Sequence, residues 1–482
     1  MRRALLIVAG FAGGCSAPNP LFGHAGGTAG GGDASGSGAV QSGAGDEQPT
    51  MTAAATGDGT AGASDDADPD GSTDGPEPTP SWVLEDDEWR GEFSEGETST
   101  MEWSNEHFGL SPGLTHGTFL SRVHEAGEPG VWRRLRWIPR APYGKPLPDG
   151  GAQERGYELG NVDMADNVLL VHFDEIELLE NGDAIADHSG HGHHGVAVID
   201  PFANATLSGG EGVVGRALED PDPGNHVRFE SSGVAPGVAD FTMSLWVSNF
   251  DCSIDQTFLA LDSADNTAGT STVWIGCNPC PDEGGTGGFT TGIVRGSAGA
   301  FACALSEAAS DPARWHHVAL VKTGHPEFTA RLFVDGQQVV EFEATLTGPL
   351  AASNDVDVYL GGQGTAGGSP FQSSANFDEV AIWHRALDDE QIKSAYARGA
   401  QRMLLSVRAC QEPECADDPP FVGPDGTQTS TFADPADSLA PGTMLPVPDL
   451  AGAYVQYQLV TQRLSLDNTP ALFSVTVEGD PR

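Results

Sequence analysis

The sequence predicts an all-β protein of antiparallel sandwiches carried behind an N-terminal segment that does not fold. Three observations predict it. Short stretches alternate apolar and polar side chains: in "FTMSLWVSN" (241–249) Phe241, Met243, Leu245 and Val247 share one face, with Thr242, Ser244 and Ser248 on the other. "ARLFVDGQQVVEF" (330–342) reads as strand, Asp335-Gly336 turn and strand, a strong short-range hairpin signal. Gly-rich turns separate many such stretches, and only "ALDDEQIKSAYARGA" (386–400) reads as a helix.

The chain opens "MRRALLIVAGFAGGCSAPNP", with two arginines, an apolar run from Ala4 to Ala12, small residues and a cysteine. The run is about half the length a bilayer span needs, so 1–15 reads as a signal peptide. "AGGC" resembles a bacterial lipobox, with Ala12 where leucine is usual, which implies a lipid on Cys15 as the sole membrane anchor. Ser16 then suggests sorting to the outer membrane, so an exported, lipid-anchored protein at the bacterial surface is expected. Residues 16–81 are written in Gly, Ala, Ser, Thr, Asp and Pro and cannot bury enough apolar surface to fold. As a tether they reach about 45 Å on average.

Charge narrows the partners. With 69 acidic residues against 23 basic, the formal net charge is −46. Such a chain repels nucleic acid and anionic lipid, and it can gather divalent cations. Seven cysteines, less Cys15, leave six, which suits disulfides in an exported chain. Cys252, Cys277, Cys280 and Cys303 allow three pairings, whereas Cys410 and Cys415 stand together and pair locally. "CNPC" (277–280) has redox spacing but is followed by loop residues rather than a helix, so structural disulfides are the better reading.

The folded elements follow in order. "GTFLSRVHEAG" (117–127) and "VWRRLRWIP" (131–139) predict two strands. Strands at 241–249, 330–342, "VDVYLGG" (356–362) and "FDEVAIW" (377–383) form the middle. In the helix, Asp388 caps the start, Gln391 completes a capping box and Gly399 is placed to close it. "RMLLSVRAC" (402–410), "AYVQYQLVTQRL" (453–464) and "ALFSVTVEG" (471–479) predict three final strands. Each flank is too small to close a core alone. This favours one discontinuous β-sandwich domain, 82–160 plus 401–482, with residues 161–400 inserted through the exposed "APYGKPLPDGG" loop. The alternative is three domains in sequence.

"VLLVHFDE" (168–175), "ADHSGHGHHG" (186–195), "GVVGRAL" (212–218), "DFTMSLWV" (240–247), "ARWHHVALV" (313–321), "ARLFVDGQQV" (330–339) and "NFDEVAIWHRALDDEQI" (376–392) follow one another in order. The series resembles the laminin-G-like, concanavalin A-like jelly roll of bacterial surface proteins over about 165–400. That resemblance implies two packed antiparallel sheets and a role in binding glycans or proteins. It also implies that 187–195 is a turn of the form Asp-x-Ser-Gly-Asn-Gly-Asn-x-Gly, kept here by Asp187, Ser189, Gly190, Gly192 and Gly195. Histidines stand where asparagines are usual, and Gly, Asn and His tolerate the positive φ of a tight turn. A Gly-punctuated turn splays His188, His191, His193 and His194 apart, so a turn rather than a metal site is expected. The resemblance further implies a structural Ca²⁺ held by Asp187 and Asp378; the competing account is that Asp378 accepts backbone N–H bonds instead.

His316 and His317 are adjacent on a strand and cannot chelate together, and Trp315 and His316 are assigned to packing. No carboxylate pair, nucleophile motif or phosphate loop stands out, so no catalytic residue is expected. The expected function is a non-catalytic surface lipoprotein whose jelly roll binds a glycan or another surface protein, with Trp274, Tyr359 and Trp383 as candidate stacking aromatics. The alternatives are a polysaccharide hydrolase or lyase on the same fold, and a structural spacer.

Overall fold

The computed structural model describes residues 82–481 except for 88–90, 105–106, 204, 221, 231–232, 264–270, 279–287, 296–297, 305–310, 346–355, 363–372 and 466–468. Cys15 with its leader, the tether 16–81 and Cys280 lie outside the described residues, as does the side chain of Cys303.

Six strands come first: β1 (Trp82–Asp87), β2 (Glu97–Ser99), β3 (Met101–Ser104), β4 (His107–Leu110), β5 (His116–Leu120) and β6 (His124–Pro139). The middle begins with β7 (Asn167–Val171), β8 (Ala184–Ile185), β9 (Gly195–Val198), β10 (Ser208–Glu211), β11 (Arg216–Glu219) and β12 (His226–Phe229). It continues with β13 (Phe241–Ser248), β14 (Gln256–Ser263), β15 (Ser271–Asn278), β16 (Gly288–Arg295) and β17 (Ala298–Ala304). Then come β18 (His316–Thr323), β19 (Glu327–Val334), β20 (Gln337–Thr345), β21 (Val356–Leu360) and β22 (Asn376–Trp383). Helix α1 (Asp389–Ala400) leads into β23 (Gln401–Cys410), β24 (Leu445–Arg463) and β25 (Ala471–Pro481).

These strands form antiparallel sheets. One eight-stranded sheet runs β10-β11-β22-β13-β18-β19-β20 with β7 on β22, and a second runs β17-β16-β15-β14-β21-β12-β9-β8. One continuous core lies between them, to which Leu245, Val318, Leu332 and Ile382 contribute from the first sheet and Phe229, Ile275 and Val358 from the second. Burial of each such side chain is worth roughly 1.5–3 kcal/mol. The Asp335-Gly336 hairpin has φ of 51° and 74°, the positive pair that a tight two-residue turn between twisted strands requires.

The inward face of β13 is as the alternation predicts, but its other face is not wet. Thr242, Ser244 and Ser248 are all buried. Helix α1 and the connector 141–165 cover that side, where Leu147, Val162 and Met164 pack with Val321, Phe333, Trp383 and Ile392. Thr242 keeps its hydroxyl satisfied by donating to the Arg385 carbonyl at 2.9 Å and accepting from Leu387 N at 2.9 Å. The helix has the expected capping box of Asp388 and Gln391. It does not stop at Gly399; it runs through Ala400 and passes into β23. Gly399 instead permits close packing, since a Cβ there would lie 2.7 Å from the Trp246 ring.

The flanking strands β1–β6 and β23–β25 share one nine-stranded sheet, ordered β2-β5-β24-β6-β25-β4-β3, with β1 on β25 and β23 on β24. The two strands predicted at 117–127 and 131–139 are redistributed: residues 124–130 join the second of them to make the 16-residue β6. Register shifts where β24 meets β6, between Pro446 and Leu450 and between Gly452 and Tyr454, let these long strands bend. The sheet wraps a core with Phe93, Phe108, Phe119 and Tyr457 at its centre. Cys252 is bonded to Cys277, which selects one partner among those left open by the sequence, and Cys410 is bonded to Cys415.

Buried charge ties the two β structures together. Arg398 of α1 donates through Nη1 and Nη2 to the Glu154 carboxylate and through Nη2 to the Pro146 carbonyl. Lys145 Nζ lies 3.4 Å from Glu154 and 3.8 Å from Asp434, and donates to Tyr157 OH at 3.0 Å. Removing one member leaves an uncompensated buried charge. Glu154→Ala is expected to lower stability by about 3–5 kcal/mol, read from urea unfolding at pH 7, and the paired change Glu154→Gln with Arg398→Met is expected to recover part of that loss.

Candidate functional site

The turn at 186–195 is organised by one carboxylate. Asp187 Oδ1 accepts from Leu170 N at 3.1 Å and Ser189 N at 2.9 Å, and Oδ2 accepts from Ser189 Oγ at 2.8 Å and His193 N at 2.8 Å. Burial opposes the charge, but the hydrogen bonds from Ser189, Leu170 and His193 outweigh it and hold the Asp187 pKa below the ordinary aspartate value. The positive φ of this turn falls on Gly190 and Gly192, and none of its histidines adopts one. His191 and His194 are exposed, and His194 Nδ1 accepts from Asp187 N at 3.1 Å.

Asp378 is wholly buried at the start of the apolar part of β22 and accepts from Val214 N at 3.1 Å and Glu379 N at 2.9 Å. Burial, followed by the neighbouring Glu379 charge, pushes its pKa well above the usual aspartate range. The pair does not fit a calcium ion. Both oxygens of Asp187 already face two donors each, and each oxygen of Asp378 accepts from a backbone N–H. In this structure both carboxylates serve backbone donors, the competing account given above for Asp378.

A different cluster forms nearby. Among the described residues, Asp149, His172 and His188 are the group whose ligand-type atoms converge, all within 4.8 Å of one another. His172 follows β7, His188 comes from the turn, and Asp149 comes from the connector, where Gly150 N donates to the His188 carbonyl at 2.8 Å. His172 Nε2 lies 2.9 Å from Asp149 Oδ1, and its Nδ1 lies 2.5 Å from Glu379 Oε1. Burial disfavours its charge, but Glu379 and Asp149 prevail and push the pKa up to about 10. The sequence placed His172 in a strand motif only. Its meeting with His188 depends on the connector, which no local pattern announces.

The aromatic candidates separate. Trp274 on β15 and Tyr359 on β21 both pair with Ala260 of β14, so they share one face of the sheet on the strands to either side of it. Trp274 is half-buried, its ring lying over Gly292, where a Cβ would come within 1.9 Å. Tyr359 is only 4% exposed. Trp383 is wholly buried beneath α1 on the other sheet and cannot present its ring to a sugar, which corrects that expectation.

The sequence assigned Trp315 to packing, and the structure gives it a second role. It half-covers an apolar cluster of Val213, Trp246, Tyr396 and Ala400, and its remaining surface lines a cleft of about 380 Å³ where the jelly roll meets the nine-stranded sheet. Val213, Ala400 and Leu464 also line it, with His116, Gln462 and the arginines 402 and 463 as its polar groups. Arg402 Nη2 donates to the Gly212 and Val213 carbonyls at 3.1 and 2.9 Å, and Arg463 Nε donates to the Leu114 carbonyl at 2.6 Å. His316 is structural, with Nδ1 3.0 Å from Asp335 Oδ2 and its ring 5.7 Å from Phe289.

If Asp187 is a hydrogen-bond acceptor rather than an ion ligand, Asp187→Ala costs about 2–4 kcal/mol at pH 7, equally in calcium and in EDTA. Because the folded pKa is depressed, the aspartate's contribution is present above the unfolded pKa and lost as pH falls through the folded one. The gap between wild type and variant therefore narrows in acid, read by urea unfolding from pH 7 to pH 3.

Residues 221–393 match the family model described as the concanavalin A-like lectin/glucanases superfamily. The match begins after β11, so the histidine turn lies outside it. Comparison with curated proteins gives no match. Among solved structures, domain 4 of AbnA, a GH43 extracellular arabinanase from Geobacillus stearothermophilus, in complex with arabinotriose, is 16% identical with a TM-score of 0.35, covering 48% of this chain and 98% of that one. Trypanosoma rangeli sialidase with 2,3-difluorosialic acid is 16% identical with a TM-score of 0.35, covering 52% of this chain and 36% of that one. The Ruminococcus gnavus IT-sialidase CBM40 bound to alpha2,3 sialyllactose is 14% identical with a TM-score of 0.28, covering 33% of this chain and 84% of that one. Likenesses this remote carry no functional weight. The two eight-stranded sheets together with the match over 221–393 show that the middle of this chain is a concanavalin A-like jelly-roll domain.

Proposed function

We propose that this protein is a non-catalytic glycan-binding lipoprotein, exported and held at the bacterial surface by a lipid on Cys15, with residues 16–81 as its tether. The observation that carries the reading is the cleft of about 380 Å³ between the jelly roll and the nine-stranded sheet, which combines a half-buried Trp315 with Gln462, Arg402 and Arg463. Sugar rings offer apolar C–H faces that pack on an indole, and their hydroxyls suit planar amide and guanidinium donors. The superfamily matched by 221–393 is named for lectins and glucanases, which is in keeping with a carbohydrate ligand.

Charge refines the ligand class. The chain carries a formal net charge of −46, yet the described residues lining this cleft include two arginines and no carboxylate. An anionic group entering there meets the positive end of the local field, whereas most of the surface repels it. Acidic saccharides, uronates among them, are therefore favoured over neutral ones.

Isothermal titration of the full chain against uronate-containing and neutral oligosaccharides tests this reading. Binding is expected for the acidic set, weakened about tenfold or more by Trp315→Ala and by Gln462→Ala, and weakening as salt rises. Trp274→Ala is expected to leave it unchanged. If Trp274→Ala abolishes binding and Trp315→Ala does not, the glycan sits on the sheet face instead. Release of new reducing ends during incubation would overturn the non-catalytic assignment.

A further inference from the structure

We infer that Asp149, His172 and His188 form a zinc-binding site, with His172 Nε2, His188 Nδ1 and an Asp149 carboxylate oxygen as protein ligands and water in the fourth position. The inference is independent of the glycan reading.

The spacing of the ligand atoms is the first argument. Around tetrahedral Zn²⁺, with ligands at 2.0–2.1 Å, neighbouring ligand atoms lie about 3.3 Å apart. Here His172 Nε2 is 2.9 Å from Asp149 Oδ1 and His188 Nδ1 is 3.5 Å from Asp149 Oδ2. Small rotations of exposed Asp149 and half-buried His188 bring these atoms onto one centre, and the solvent side of Asp149 leaves room for water.

The groups behind the histidines are the second argument. A metal-bound imidazole usually hands its other nitrogen to a carboxylate, which fixes the tautomer and aims the ring. Both histidines have such a partner. His172 Nδ1 lies 2.5 Å from Glu379 Oε1, and His188 Nε2 lies 3.5 Å from Glu175 Oε1. Glu379 is itself fixed by Leu147 N, which donates to its Oε2 at 3.0 Å.

An ion triad without metal accounts for only half of the cluster. A proton on His172 satisfies Asp149 and Glu379, but it does nothing for His188. That ring has a carboxylate 3.5 Å from each nitrogen, and its Nε2 is buried without a hydrogen-bond partner. A metal on Nδ1 would keep the ring proton on Nε2, facing the Glu175 carboxylate. The mixed nitrogen and oxygen set suits Zn²⁺ rather than Ca²⁺, which takes six to eight oxygens. The ion would pin the connector that carries Asp149 to the first turn of the jelly roll.

The test uses the full chain stripped with chelator and titrated with Co²⁺ as a visible tetrahedral reporter, then with Zn²⁺ in competition. One saturable site with an intense visible band, bleached by Zn²⁺, is expected. Asp149→Ala and His188→Ala, both changes at solvent-accessible side chains, are expected to remove it, and Glu175→Gln to weaken it about tenfold or more. The double variant His191→Ala with His193→Ala is expected to bind as wild type does, which separates this site from adventitious binding by the histidine-rich turn. Circular dichroism checks that each variant is folded. The proposal is overturned by a chain without a saturable band, by a band that survives His188→Ala in a folded variant, or by one that disappears with His191 and His193.

Discussion

Arg398, Glu154, Lys145 and Asp434 are charged groups removed from water, and the arrangement of the two β structures depends on their pairing. Desolvating four ionised side chains is costly, and only close, multiply bonded geometry offsets it. Each member comes from a different stretch: helix α1, the two limbs of the connector, and the loop ahead of β24. Satisfying all of them at once leaves few ways for the connector to lie. Apolar contacts by Leu147, Val162 and Met164 would tolerate sliding, whereas ion pairs with bidentate geometry do not.

What the connector holds follows from that constraint. It carries Asp149 to His172 and His188, and it places Leu147 N on Glu379, the carboxylate behind His172. On the other side of the same junction, α1 passes without a loop into β23, so Arg402 is delivered to the Gly212 and Val213 carbonyls at the rim of the cleft. The cleft and the histidine cluster are thus two consequences of one seam. Neither belongs to the jelly roll alone, which is why resemblance to that fold does not announce them.

Acidic residues in this protein act in three distinct physical ways. On the surface they set a field that repels anions. In the turn, Asp187 replaces missing backbone partners and folds nine residues around a single carboxylate. Inside, Asp378 and Glu379 stand side by side and differ in partners, one accepting from backbone N–H groups and the other paired with His172. An adjacent acid pair in a strand carries none of this information on its face, because the difference lies in what is packed above each oxygen.

The division between sequence and tertiary structure follows the range of the forces involved. Alternation along β13, the Asp335-Gly336 turn and the Asp388 and Gln391 capping box are local, governed by backbone conformation and by which face is apolar, and residues 330–342 and 388–391 fold as their own sequence dictates. The same reasoning misplaced the end of α1, because Gly399 answers to the Trp246 ring across the fold rather than to the helix. It offered Trp383 as a sugar platform because exposure is a property of what covers a strand, and α1 covers this one. It assigned Trp315 only to packing, since the cleft exists only where two distant parts of the chain meet. Sequence alone determined that the chain would be β, where its hairpins would turn and that His188, His191, His193 and His194 would sit in a turn. Only the tertiary structure decided that His188 would meet His172 and Asp149, 16 and 39 residues away along the chain, while His191 and His194 stay exposed, because direction within a turn is set by long-range partners.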